Sequence, residues 1–280
     1  GVNPTYKPED NTYKFSNTSG IFIIDGGGID LIDCSSSSLD IFIDLREGAH
    51  SYEGSKSTFI TAARQLTISY SSEIENVKTG SGNDIIVGNS ISNFISSSLG
   101  DDIIFAGDGE DYVKSGPGDD IIDLSESENF QDIIVLENDR LGEGIDSIYG
   151  FVQGLSGDIV DFLNFNFTTL KYLPLVNVVN VPSGYIDNCI VRIFGENLDK
   201  VSSLEPSLNT GGVLSGLQLS DNTSALLITS NSKDTGVAQN FYEVENNLGY
   251  KSVTPVAQFF GNYLDIDSWS VDNFTVTELL

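Results

Sequence analysis

The chain has one histidine, two cysteines, one tryptophan and only 13 basic residues among 280. A zinc protease needs a His-Glu-x-x-His helix and a third ligand, and a Ser-His-Asp hydrolase needs a histidine and a G-x-S-x-G elbow. His50 alone supplies neither; following DLREGA, it reads as part of a solvated loop. Cys34 and Cys189 lack a second histidine, and either one disulfide or two thiols is compatible with their contexts. No phosphate-binding or dinucleotide glycine motif occurs. No run of 18 apolar residues exists, which excludes a spanning helix. No basic, apolar leader is present, and the chain begins at Gly1 rather than Met, as a processed or excised form would. Against 13 basic residues stand 41 acidic ones, a net charge of −28. Repulsion on that scale argues against nucleic acid and against an anionic membrane surface. Helical periodicity is nearly absent, apart from residues 198–205.

What is present is a period of nine. Residues 79–123 divide into TGSGNDIIV (79–87), GNSISNFIS (88–96), SSLGDDIIF (97–105), AGDGEDYVK (106–114) and SGPGDDIID (115–123). The pattern is x-G-x-G-x-D-x-U-x, with U apolar. Glycines at positions 2 and 4 permit tight turns and expose carbonyls. Position 6 supplies a carboxylate, or Asn93 in the second repeat. Calcium takes six to eight hard oxygen ligands, which carbonyls and carboxylates provide. Positions 7–9 form a short strand whose position 8 (Ile86, Ile95, Ile104, Val113, Ile122) points inward. Two repeats complete a coil of 18 residues. Repeats 1, 3 and 5 therefore stack on one side and repeats 2 and 4 on the other, with ions between turns i and i+2. The outward position 7 is apolar throughout: Ile85, Ile103 and Ile121 on one face, Phe94 and Tyr112 on the other. Such stripes mark a covered surface, either under strands of the same chain or against another copy.

These nines resemble the RTX nonapeptide repeat. IFIIDGGGIDLIDCSSSSLDIFIDLREG (21–48) and EIENVKTGSGND (73–84) extend the resemblance to the C-terminal domain of serralysin-type metalloproteases, from about Ile21 to Phe162. The resemblance implies Ca²⁺, about four to six ions. It implies that Asp25, the Gly27 carbonyl and Asp30 hold one ion, and that the Gly28 carbonyl, Asp30, the Glu73 carbonyl and Glu75 hold a second. In the roll it implies Gly80, Gly82 and Asp84 with Ser97, Leu99 and Asp102. It implies Asn89, Ile91 and Asn93 with Ala106, Asp108 and Asp111, the weakest site because Asn93 and Ile91 replace Asp and Gly. It further implies Ser98, Gly100 and Asp102 with Ser115, Pro117 and Asp120. A last site would draw on Gly107, Gly109, Asp111 and the degenerate segment 124–129. Family members give the first ion an Arg-x-Gly-x-Thr stretch that residues 1–20 lack, so that site is open or completed differently. DSIYGFVQGLSGDIVDF (146–162) is similar to the segment found after such rolls, with Asp146 and Asp161 in place.

The expected fold is all-β: a parallel β-roll with flanking strands, then a β-sandwich-like module. The expected organisation is an arm or linker at 1–20, the calcium-binding roll domain at 21–162, and a β-rich module at 163–280 whose end, FTVTELL, has the character of a type I secretion signal. Segments 39–45, 66–70 and 131–136 read as strands. The resemblance implies a secreted bacterial protein, and the single histidine and missing motifs argue against catalysis in this chain. Three functions remain: a self-associating structural subunit of a surface layer, sheath or fibre; an adhesin for matrix or cell-surface polysaccharide; or the folding and export domain of a larger secreted enzyme. The first is preferred. Residues 79–123 carry nine acids and one lysine, so without Ca²⁺ their self-repulsion should keep the segment unfolded.

Overall fold

The computed structural model describes residues 7–137, 144–154, 156–163, 171–172, 176–177, 184–185, 189–194, 201–209, 214, 217–220, 223–230, 238–247, 250–261, 264, 269 and 273–277. Its contacts divide the chain into two compact units, the first reaching Val135 and the second holding most of the chain after Gly144.

The first unit contains strands β1 (Thr12–Tyr13), β2 (Ile21–Ile23), β3 (Leu31–Asp33), β4 (Ile41–Asp44), β5 (His50–Glu53), β6 (Gln65–Ile68), β7 (Asn76–Lys78), β8 (Ile85–Val87), β9 (Phe94–Ser96), β10 (Ile103–Phe105), β11 (Tyr112–Lys114), β12 (Ile121–Asp123) and β13 (Ile133–Glu137). One parallel sheet runs β1-β3-β7-β9-β11-β13. The other runs β12-β10-β8-β4 in parallel, continues antiparallel through β5 to β6, and ends on β2, parallel to β6. Register through the repeats is 18 residues: Ile86 pairs with Ile104 and Ile104 with Ile122, while Ile95 pairs with Val113. The stacking of repeats 1, 3 and 5 against 2 and 4 is thus as the period dictates. Three-residue strands have no stability alone. They persist because each position-8 side chain enters a closed ladder. Ile32, Val77, Ile95, Val113 and Ile134 from one sheet meet Ile43, Ile86, Ile104 and Ile122 from the other, all fully buried. Truncating one such Ile to Ala would cost about 2–5 kcal/mol.

The expected arm at 1–20 is corrected by β1: Thr12 and Tyr13 pair with Leu31 and Ile32, so residues 7–14 form a further turn of the stack. His50 lies in a strand instead of a solvated loop, its ring nitrogens 2.9 Å from Thr67 Oγ1 and 3.1 Å from Gln65 Oε1. The strands of 146–163 pair with the chain's far end.

The second unit contains β14 (Asp146–Tyr149), β15 (Ile159–Leu163), β16 (Lys171–Tyr172), β17 (Val176–Asn177), β18 (Gly184–Tyr185), β19 (Cys189–Phe194), helix α1 (Val201–Leu208), β20 (Leu217–Gln218), β21 (Ser224–Ser230), β22 (Gln239–Asn247), β23 (Tyr250–Phe260) and β24 (Phe274–Thr277). β19, β21, β22 and β23 form a mixed sheet, extended by β14 beside β23, and β15 pairs with β24. Leu204 and Leu208 of α1 join Val191, Leu227 and Val244 in one buried cluster. Phe151, Phe241, Phe259 and Phe274 surround Trp269, whose Nε1 donates to Gln239 Oε1 at 2.6 Å. Asp146 and Asp161 are both buried. Of FTVTELL, residues 274–277 form β24, and 278–280 lie outside the described residues. Among the described residues no helix is long and apolar enough to cross a membrane.

Candidate metal centre

Each turn of the roll places its position-6 carboxylate at the start of a strand, under the turn that precedes it in the stack. Asp102 Oδ1 accepts the Asp84 N–H at 2.7 Å, and Asp120 Oδ1 accepts the Asp102 N–H at 2.8 Å. Asp111 Oδ1 accepts the Asn93 N–H at 2.7 Å, and Asp84 Oδ1 accepts the Ile41 N–H at 2.8 Å. The carboxylates are buried. One oxygen of each is therefore satisfied by backbone. The second oxygen of Asp30, Asp84, Asp102 and Asp111 is buried without a hydrogen-bond donor. An ionised carboxylate is acceptor-only, and a buried orphan acceptor is costly. A cation between turns would satisfy all four.

The electrostatics state the same need. Burial pushes Asp102 and Asp111 up to about 8, against the downward pull of the Asp84 and Asn93 N–H donors. Neighbouring carboxylates push the same way. Burial likewise raises Asp84, and it raises Asp120 to about 6.

The carbonyls named from the sequence lie in the same stack. Turns approach so closely that a Cβ on Gly100 would overlap the Gly82 carbonyl, and one on Gly116 the Ser98 carbonyl. Ser98 occupies a glycine position with φ 76°, its hydroxyl donating to the Thr79 carbonyl at 3.0 Å. The Gly80, Asn89 and Pro117 carbonyls each accept one backbone N–H, from Leu99, Asp108 and Gly100. A carbonyl has two lone pairs, so each retains acceptor capacity. Among the described residues, no three His, Cys, Asp or Glu side chains form a metal-holding group. Carbonyl-rich donor sets of this kind suit hard Ca²⁺ and not zinc. The Asn93 turn differs from the others: its Nδ2 donates to the Glu75 carbonyl and to Asn89 Oδ1, and its Oδ1 accepts the Asn89 N–H. Protein partners there take up what an ion would use.

At the upstream end, Asp25 and Asp30 are fully buried. Glu75 Oε2 accepts the Asp30 N–H at 2.7 Å, joining two expected ligands. Burial, with Asp25, Glu75 and Asp10 nearby, pushes Asp30 up to about 6. Residues 7–14 lie against this end of the stack. Asn11 N–H donates to Asp30 Oδ1 at 2.8 Å, the Tyr13 hydroxyl donates to Asp25, and the Glu9 carbonyl lies over Gly28.

Asp132 escaped the sequence reading. Its Oδ1 accepts the Asp111 N–H at 2.9 Å, 21 residues away, and Ile133 pairs with Tyr112. It is the position-6 residue of a further turn, stacked on the Asp111 turn beyond 124–129. The signal was available: QDIIV at 131–135 repeats NDIIV at 83–87, displaced by a three-residue insertion.

Residues 71–90 and 87–122 match the family described as "RTX calcium-binding nonapeptide repeat (4 copies)". Residues 71–122 of the stack are thus similar to RTX calcium-binding repeats. A stretch of 107 residues is 34% identical to "Serralysin" of Proteus mirabilis, covering 33% of this chain and 21% of the relative. Over 109 residues the chain is 31% identical to "Metallopeptidase AprA" of Pseudomonas marginalis, covering 34% and 22%. Over 107 residues it is 35% identical to "Serralysin" of Photorhabdus luminescens, covering 33% and 21%. The chain thus spans about a fifth of these relatives, over the RTX region. Ca²⁺ is the ion of RTX repeats, and the buried, donor-less oxygens of Asp84, Asp102 and Asp111 fit it.

Proposed function

We propose that this chain is a secreted, calcium-dependent structural protein of a bacterial cell surface, in which Ca²⁺ drives folding and then assembly after type I export. The observation that carries the reading is the stack of buried carboxylates with an unsatisfied oxygen each. Inside the exporting cell, low free Ca²⁺ leaves these groups mutually repulsive and the roll unfolded. Outside, sites with dissociation constants of about 10⁻⁴–10⁻³ M fill, and binding to the folded state alone adds stability. About four to six ions are expected, held by Asp25, Asp30, Glu75 and the turns from Gly80 to Asp132. Ile85, Phe105 and Ile121 are exposed on one sheet face, an apolar stripe for contact between copies in an array. No catalytic role is assigned to the chain.

Far-UV circular dichroism during a Ca²⁺ titration, followed by electron microscopy in millimolar Ca²⁺, tests the reading. Calcium-dependent β structure and regular arrays support it. β structure that survives chelation counts against the switch, and monodisperse particles count against the array.

A second reading is favoured by the match to serralysins: the chain is the folding and export portion of a longer secreted protein. A parent chain with a catalytic domain before Gly1 would establish it.

A further inference from the structure

The two outer faces of the roll differ in chemistry. On the sheet β1-β3-β7-β9-β11, register places Lys14, Asp33, Lys78, Ser96 and Lys114 in one outward column. Three of the five lysines in residues 7–137 stand in that column. They occur on every second strand, roughly 10 Å apart at about 4.8 Å per step. The neighbouring column holds Asn76, Phe94 and Tyr112; the two rings stack at 5.2 Å, with Lys78 Nζ 5.7 Å from the Phe94 centroid. At its Lys14 end the column runs into a cavity of about 300 Å³. Lys14, Phe15, Asp33, Ser36, Glu53 and Arg64 line it. Lys14 pairs with Asp33 at 2.8 Å, and Glu53 lies 3.7 Å from Arg64 and accepts the Ser37 hydroxyl at 2.6 Å.

We infer that this track binds a linear, carboxylate-bearing polysaccharide, with one sugar seated in the cavity and the chain lying along the lysine column. The cavity has the volume of a small-ligand site, but its walls are hydroxyls and paired charges, which suit a polyol and not an apolar ligand. The column offers cations at the spacing of acid groups on alternate rings of an extended glycan. The whole chain is strongly acidic, yet screening at about 8 Å lets this local cationic row act on a ligand lying against it. A strip two side chains wide and roughly 19 Å long fits a single polymer strand. It falls far short of the roughly 800 Å² per partner of a stable protein interface. The inference uses the calcium-folded roll only for the integrity of the sheet.

Titration calorimetry on the full chain at fixed excess free Ca²⁺ tests it, with a linear oligouronide and a neutral oligoglucan of equal length as probes. Binding of the oligouronide that weakens with added salt is expected, with neutral glucan weaker. The Lys78→Gln/Lys114→Gln variant should lose about tenfold in affinity, and Ser36→Trp, which fills the cavity, should lose as much. Circular dichroism in Ca²⁺ should be unchanged in both. A calcium-folded protein that ignores the oligouronide, binds neutral glucan equally, or binds as well in both variants overturns the proposal and leaves the calcium reading intact. Loss of self-association in the lysine variant without any glycan binding overturns it in favour of a second copy on this face. Absence of calcium-dependent folding in the wild type would instead strike the calcium reading.

Discussion

Asp132 Oδ1 accepts the backbone N–H of Asp111 at 2.9 Å, closing a turn of the roll that the nine-residue period does not reach. The contact repeats, with a longer connection, the Asp102–Asp84 and Asp120–Asp102 contacts of the regular turns. Replacing Asp132 by Ala should leave the Asp111 N–H without its acceptor and remove a carboxylate from the last site. A loss of about 1–3 kcal/mol is expected, with calcium stoichiometry falling by one. Thermal unfolding in saturating Ca²⁺ and calorimetric titration measure the two effects. An unchanged stoichiometry would mean that no ion sits at this turn.

Acidification should act in opposite senses with and without calcium. Burial holds Asp102 and Asp111 at about 8 in the metal-free fold, above the ordinary value of 3.8. The folded state then binds more protons than the unfolded chain between those limits. Its stability is fully present below about 3.8 and is lost as pH rises through about 8. In chelator, the roll should gain β structure as pH falls through that window. In limiting Ca²⁺ it should lose structure, because protons compete with the ion for the same carboxylates. Circular dichroism at a series of pH values separates the cases; parallel trends in both solutions would contradict the assignment.

Two glycine substitutions should differ in cost. A methyl on Gly116, at φ +89°, would overlap the Ser98 carbonyl and push adjacent turns apart. Gly116→Ala should destabilise by about 3 kcal/mol and weaken calcium binding. At Gly27 nothing lies within 4 Å of the added carbon, and only its φ of +147° opposes the change. Gly27→Ala should cost about 1 kcal/mol. Melting temperatures in saturating Ca²⁺ give the ranking.

Cys34 should report folding of the first unit. Its free thiol is 6% exposed, and burial, with Glu53, Asp33 and Asp84 nearby, pushes it up to about 12. Since the thiolate is the nucleophile, alkylation should be slow in Ca²⁺ and fast in chelator. Peptide-level mass spectrometry of Cys34 measures both rates, and equal rates would show that the metal-free unit retains its packing there.

The period of nine by itself determined the parallel roll and the inward Ile and Val ladder, and the RTX resemblance it carries implied the ion. Repetition makes each local choice also a statement about the residue 18 positions on, so register comes from counting. Counting fails wherever the spacing changes. Residues 36–44 stack on the first repeat 43 residues away, with Ile41 where a carboxylate would stand, and Phe42 opposite Ile85. Residues 7–14 stack on 25–33, and Asp132 lies 21 residues after Asp111. The tertiary structure decided these turns, because insertions of arbitrary length bulge outward while the strand core and its position-8 side chain rejoin the ladder. It also decided which outer column each lysine occupies. Lys14, Lys78 and Lys114 are 64 and 36 residues apart in sequence, and only strand pairing sets them in one line.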